Sequence, residues 1–240
     1  MRRSLQLLAC WALVSLLSGC AALGGKRPVS GEDLTQTRRI GVVSLLGDEF
    51  HGLRIGTTVF QNARYSVKVP EWQIDAYATD KAIELLRQRS RFEATALDRR
   101  DLVIERLRVD GPQQLLAIAA RQGVDRLLVI RPGTATSQER VLFAPGYGMM
   151  ERSFLNLMRR CVYAAYRIDV LDVKTGQEIA WEWGGDFPCE YGETPQLPFL
   201  PGLEYYSAEQ REGIRLGLLR RIDKSMADAL GALALIPEPR

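Results

Sequence analysis

Apolar positions along the chain follow two spacings, one typical of helices and one typical of strands. From Gln73 to Ser90 they recur every three or four residues, which predicts a helix with one apolar face. Residues 40–46 and 126–130 are short β-branched runs, which predict buried strands. A second helix is predicted to begin near Asp110 and to end at Gly123.

The strongest helical pattern lies near the C-terminus. Ser207 and Gln210 have the spacing of a capping box, in which each side chain bonds the backbone of the other residue. Beyond them an apolar residue follows nearly every four positions: Ile214, Leu218, Ile222, Met226, Leu230 and Leu233. We expect this stripe to pack on a sheet rather than on a partner helix.

The order of these elements predicts the fold class. Two strands at 53–60 and 65–69 follow the first one and predict an N-terminal β-meander. Helices and strands then alternate. We therefore expect an α/β fold: a mixed twisted sheet with helices mainly on one face, the N-terminal meander, a β-hairpin and a long C-terminal helix.

Residues 161–187 carry the clearest hairpin pattern, with Lys174–Gln177 as the turn. Alternate apolar residues mark one face of each strand, and both faces are expected to point into the core. These residues are Val162, Ala164, Tyr166, Ile168 and Val170, and then Ile179, Trp181, Trp183 and Phe187. Matching the two faces requires cross-strand pairs whose residue numbers add to an odd total.

The N-terminus has two arginines and then an apolar run, residues 5–17, that is too short to span a bilayer. It ends in Leu17-Ser18-Gly19-Cys20, which resembles the lipobox of bacterial lipoproteins. The resemblance implies that residues 1–19 are a signal peptide and that Cys20 carries lipid. Because Ala21 rather than Asp follows, it also implies the periplasmic face of the outer membrane. An ordinary cleaved signal or a retained anchor is the alternative.

The segment after the cysteine predicts the domain organisation. Residues 20–37 are mostly small, polar and turn-prone, and we interpret them as a lipidated tether. Residues 38–240 are then a single periplasmic α/β domain, which is long enough to bury its own core.

The cysteines predict one disulfide. Cys10 lies in the signal, so Cys161 and Cys189 are the pair left for an oxidising compartment once Cys20 is lipidated. Each lies fourteen residues from Thr175, and they come close across the hairpin if one strand contains a bulge. We expect a disulfide between them; two buried thiols are the alternative.

Charge argues against one class of partner. The chain has 32 Lys and Arg and 29 Asp and Glu, and the signal takes two arginines away. A nearly neutral mature chain argues against nucleic acid as a partner and against broad electrostatic binding to lipid headgroups. Gly24-Gly25-Lys26 lacks the first glycine and the preceding strand of a phosphate loop, and we expect no cofactor.

Catalysis has one weak candidate. His51 is the only histidine, and Asp48 and Glu49 lie beside it in a predicted loop. A general acid–base trio can be drawn from them, whereas one histidine cannot build a multi-histidine metal site. An envelope hydrolase is therefore an alternative function, and a polar loop tip is the simpler interpretation.

A better candidate for contact with a partner is the predicted loop at residues 141–154. Phe143, Tyr147, Met149 and Met150 lie there beside glycines, and methionine-rich surfaces adapt to partner grooves. The alternative is a flap that covers the sheet edge.

The hairpin segment IDVLDVKTGQEIAWEW and the order of elements around it resemble one group of envelope domains. The group comprises the periplasmic domains of the curli-secretion lipoprotein CsgG and the penicillin-binding-protein activator LpoB, and the N-terminal domain of TolB. The resemblance implies a binding or assembly module whose partner is another envelope protein or a second copy. A lipid-handling subunit of a transporter is a further alternative, which requires a continuous apolar cavity.

Overall fold

The computed structural model describes residues 28–98, 112–136, 143–154, 157–185 and 197–238. Its helices within these ranges are α1 (Gly31–Gln36), α2 (Ile74–Arg89), α3 (Gln113–Arg121) and α4 (Ala208–Ala232). Its strands are β1 (Arg39–Ser44), β2 (Glu49–Ile55), β3 (Ala63–Lys68), β4 (Glu93–Ala96), β5 (Arg126–Pro132), β6 (Thr134–Thr136), β7 (Phe143–Pro145), β8 (Tyr147–Phe154), β9 (Leu157–Ala164), β10 (Tyr166–Asp172) and β11 (Glu178–Gly184).

Two mixed sheets and the helices around them confirm the α/β class. The central sheet has the order β11-β10-β5-β1-β4, in which β1 is parallel to β4 and β5. The second sheet has the order β3-β2-β8-β9. β1 and β2 therefore lie in different sheets, and a β2–β3 hairpin replaces the predicted meander. Gly47, with a positive φ of 79°, lies in the link where the chain leaves one sheet for the other.

Two of the helices, α2 and α4, pack on one face of the central sheet and enclose the main core. The capping box of Ser207 and Gln210 is present, and α4 begins there as predicted. The predicted stripe of α4 is buried along its whole length. None of the helices in the described part of the chain is both long and apolar enough to cross a membrane.

The short helix α3 packs on the opposite face, where Leu115 and Ile118 contact Leu127 and Val129 of β5. Gly123 follows the helix with a φ of 65°, as predicted, whereas Asp110 lies outside the described residues. Nine residues make a helix about 14 Å long, and five strands make a sheet about 19 Å wide. α3 is thus too short to cover the whole face.

The structure describes the predicted tether from residue 28 onward, and this part packs on the domain. Val29 is buried, and its amide donates to the Leu233 carbonyl at 3.1 Å. Asp33 of α1 pairs with buried Arg126 at 3.2 Å. The folded domain therefore begins near Val29 rather than at residue 38. Cys20 and the signal segment lie outside the described residues.

The first predicted strand of the hairpin is divided into β9 and β10. The chain passes from the second sheet to the central sheet at Ala165, so the hairpin itself consists of β10 and β11. The turn between β10 and β11 is closed by Asp172, whose side chain accepts from the Thr175 amide at 2.7 Å. The predicted register holds where Leu171 pairs with Glu178, and a bulge then shifts every remaining pair by one residue.

The bulge reverses the face that β11 turns to the main core. The five predicted core residues of β9 and β10 are buried as expected, and Ile179 packs against the core as well. Ala180 and Glu182 are buried, however, and Trp181 and Trp183 point to the other face of the sheet. The predicted inward orientation of these two tryptophans is wrong, because one residue of slip exchanges the faces of a strand. Phe187 lies outside the described residues.

Candidate binding face of the central sheet

The side chains beside α3 on β5, β10 and β11 form the candidate site, which we call the tryptophan face. It consists of Arg131, Arg167, Asp169, Trp181 and Trp183. Adjacent strands supply them in register: Arg167 lies opposite both Arg131 and Trp183, and Asp169 lies opposite Trp181. Alternation along each strand puts all five on one side of the sheet.

Trp183 is exposed on this face and is nevertheless contacted closely by its neighbours. Its side chain is 46% exposed. The indole lies against Gly133, where an added Cβ would stand 2.6 Å from the ring atom Cζ3. The Trp181 ring meets it edge to face, with centroids 6.0 Å apart. A large apolar side chain is thus presented to solvent in one orientation.

An ionic network fixes the other half of the face. The Asp169 carboxylate is buried and pairs with Arg131 through one oxygen and with Arg167 through the other; the second contact is ionic, without the alignment of a hydrogen bond. Arg167 also pairs with Glu178 at 2.5 Å and stacks over the Trp181 ring at 4.4 Å. Two arginines and two acids balance in charge, while the Arg131 end stays accessible.

A cavity of about 440 Å³ opens beside this network, next to the start of α3. Arg131, Asp169 and Glu178 belong to its lining, together with an apolar set of Leu45, Pro112, Leu115, Val129 and Leu171. The volume is within the range of ligand pockets. Its charged wall does not suit an acyl chain, so the cavity gives no support to the lipid-handling alternative.

The residues predicted to contact a partner occupy a different place from the one expected. Residues 147–154 form β8 in the middle of the second sheet rather than a loop. Tyr147 and Met149 are buried in the main core, and Met150 is buried in a small cluster on the other side of the sheet. Phe143 begins β7, and its side chain lies outside the described part. The exposed surface that we predicted from Tyr147, Met149 and Met150 is therefore not present.

The predicted catalytic trio does not assemble. His51 lies within β2, half-buried, between Ser66 of β3 and Gly148 of β8. Partial burial lowers its pKa below the usual 6.5, and the charge of Glu49 opposes that shift. Among the residues that the structure describes, no hydrogen bond or ion pair joins His51 to Asp48 or Glu49. The same part of the chain contains no cluster of three His, Cys, Asp or Glu residues that could hold a metal.

Cys161 is fully buried in the same small cluster as Leu53, Met150 and Tyr163. It is disulfide-bonded in the structure. Cys189 lies outside the described residues, so its pairing with Cys161 stays a prediction.

Sequence reasoning missed the tryptophan face because it assigned Trp181 and Trp183 to the core. One signal was available in the neighbouring strand. Arg167 and Asp169 alternate with the apolar residues of β10, and charged positions in that pattern mark the face away from the core. The tryptophans lie beside these charges once the bulge is taken into account.

Comparison with known proteins identifies no family. No protein-family model matches the chain, and no curated protein matches it. The fold is similar to a solved structure of the PelC dodecamer from Paraburkholderia phytofirmans, at 11% identity over 88% of this chain and 95% of that chain, with a TM-score of 0.39.

Two further solved structures are also similar. One is the LpoB C-terminal domain from Salmonella enterica, at 14% identity over 65% of this chain and 90% of that chain, with a TM-score of 0.25. The other is lipoprotein GNA1162 from Neisseria meningitidis, at 12% identity over 78% of this chain and 99% of that chain, with a TM-score of 0.27. All these TM-scores are below 0.5, so function is argued from the residues of this chain.

Proposed function

We propose that this chain is a lipid-anchored envelope protein that binds another envelope protein through its tryptophan face. One observation carries the proposal: Trp183 is held half-exposed and in a single orientation, on a regular strand beside an ionic network. Tryptophan and arginine are the residue types that most often dominate the energy of protein interfaces. An ordered side chain also loses little conformational entropy on binding.

The neighbouring cavity and charges support a protein as the partner. A pocket of about 440 Å³ can receive an anchoring side chain from the other protein. Arg131, with 45% of its side chain exposed, can pair with a carboxylate of the partner without leaving Asp169. The ion pairs of Asp169 with Arg131 and Arg167 pre-organise this surface for binding.

The lipid anchor in this proposal rests on the lipobox. Acyl chains on Cys20 would hold the cleaved protein on a membrane stably, because each buried methylene contributes about 0.8 kcal/mol of binding free energy. The residue after Cys20 favours the outer membrane, with the domain in the periplasm. Anchoring also raises the local concentration of the domain at that membrane, so a moderate affinity of the tryptophan face is sufficient for function.

The experiment is site-specific photocrosslinking in intact cells. A photoreactive amino acid replaces Trp183 in one variant and Leu216 in a matched control, because Leu216 is 41% exposed on the remote helix α4. We expect a discrete crosslinked protein, identified by mass spectrometry, from position 183 and none from position 216. A Cys20→Ala version should lose the crosslink if anchoring brings the partners together. Equal or absent crosslinking at the two positions would contradict the proposal.

A further inference from the structure

The loop between β2 and β3 exposes two adjacent apolar side chains, and we call residues 56–62 the β2–β3 tip. Val59 is 72% exposed and Phe60 is 95% exposed. Phe60 is the most exposed large apolar residue in the described part of the chain. The tip joins two strands of the second sheet, whereas the tryptophan face lies on the central sheet.

Part of the backbone of this tip is bonded within the loop itself. The Gly56 amide donates to the Asn62 side chain at 2.9 Å, and the Thr57 amide donates to the Gln61 side chain at 2.9 Å. The Gln61 and Asn62 amides donate to the carbonyls of Thr58 and Val59. These bonds would persist if the loop left bulk water, which lowers the free-energy cost of entering a lipid interface.

The strands that carry the tip are basic. Residues 52–68 and 152–164 contain no Asp or Glu, whereas their basic residues are Arg54, Arg64, Lys68, Arg152, Arg159 and Arg160. Buried Glu151 pairs with Arg54 and Arg160. Arg64 is exposed on β3 two residues after the tip. Arg152 lies beside Ile55 and directly opposite Arg159, so cations surround the base of the tip.

We propose that the β2–β3 tip inserts Val59 and Phe60 into the interface of an anionic bilayer, with Arg64 and its neighbours on the lipid headgroups. An apolar end with a basic base is complementary to such a surface, because aromatic rings settle at the interface and basic residues are drawn to anionic lipids. The inference does not depend on the tryptophan face.

The tip and Val29 lie at opposite ends of α4. Arg54, just before the tip, donates to the Phe199 carbonyl at 2.9 Å, in the segment that leads into this helix. Val29 bonds to Leu233 at the other end. The 25 residues between make a rod about 37 Å long. The tip and Val29 are therefore separated by about the length of α4.

The test uses the full chain, purified in detergent and reconstituted into phosphatidylcholine vesicles with or without phosphatidylglycerol. A fluorescent amino acid at position 60 reports insertion through quenching by nitroxide-labelled lipids, and the same label at position 216 is the control. We expect quenching at position 60 that increases with phosphatidylglycerol, and none at position 216. Absence of quenching at position 60 in both vesicle types would overturn the inference. Shielding of that label only at high protein density would instead assign the tip to a second copy.

A charge reversal distinguishes the contribution of the basic residues to membrane binding from that of the apolar tip. Arg64→Glu should lower the inserted fraction in anionic vesicles by roughly tenfold, because each basic residue near such a surface strengthens binding several-fold. Lys174→Glu makes the same change in charge at the exposed hairpin turn of the central sheet and should have no effect. Equal effects of the two variants would contradict the assigned role of Arg64.

Discussion

Arg131 and Arg167 lie directly opposite each other on neighbouring strands, and the Asp169 carboxylate pairs with both. Like charges opposed in this way destabilise a sheet unless an acid lies between them. Asp169 therefore fixes both the stability and the shape of the tryptophan face. The stacking of Arg167 on Trp181 depends on the same carboxylate.

Replacing Asp169 with Asn should lower the free energy of unfolding by about 2–3 kcal/mol, because it leaves two opposed guanidinium groups with one buried neutral partner. Urea unfolding measures the loss. The matched control is Glu178→Gln, which removes a 40% exposed partner of the same Arg167 and should cost less than about 1 kcal/mol. Similar losses for the two variants would contradict the central position of Asp169.

A methyl group at residue 133 should disturb the face without changing its charge. In Gly133→Ala the new Cβ would meet the Trp183 ring at 2.6 Å and the Tyr166 backbone at 3.2 Å, so the indole must move. We expect a red shift of tryptophan emission and a cost of about 1–2 kcal/mol. Gly31→Ala is the control, since nothing lies within 4 Å of its added Cβ. Unchanged emission in Gly133→Ala would show that Gly133 does not position Trp183.

The single histidine allows a clean test of pH dependence. Burial lowers the pKa of His51 below 6.5, so the folded chain binds this proton less readily than the unfolded chain. Stability should therefore fall as the pH falls from about 7 to 5, and it should fall less in His51→Gln. Nuclear magnetic resonance titration of the ring should give a midpoint below 6.5. A midpoint above 6.5 would contradict this prediction and favour a carboxylate partner, as the hydrolase alternative requires.

The disulfide is predicted to join Cys161 to Cys189. Thiol counting on the denatured, unreduced mature protein should find neither residue free. The 27 residues between them set the expected contribution to stability at about 3–4 kcal/mol in the loop-entropy model. Reduction should lower the unfolding midpoint accordingly. Two free thiols in the unreduced protein would rule out the pairing.

Local patterns predicted α2, α3 and α4 well but missed α1, which lies in the predicted tether. The stripe from Ile214 to Leu233 and the capping box at Ser207 correspond to α4, and Gly123 ends α3, because each signal acts within a few residues. The pairing of strands depends on distant contacts. Nothing local in Leu45–Asp48 indicates that β1 and β2 enter different sheets.

The candidate site was harder to predict, for a related reason. One bulge between Val170 and Leu171 decides which face carries Trp181 and Trp183, and no local sequence feature marks it. Met149 and Met150 were predicted to be exposed and are buried, because their neighbouring glycines favoured a loop over a strand. Gly148 is required there because an added Cβ would lie 1.9 Å from the His51 carbonyl oxygen of the next strand. Close strand packing, not flexibility, explains that glycine.

The measurement that tests the central claim most directly is oxidative footprinting of Trp183 in intact cells and in the purified protein. Tyr205, which is 63% exposed, is the internal aromatic control. If the tryptophan face binds an envelope partner, Trp183 should be oxidised several-fold more slowly in cells while Tyr205 reacts equally in both samples. Equal oxidation of Trp183 in cells and in isolation would contradict the account.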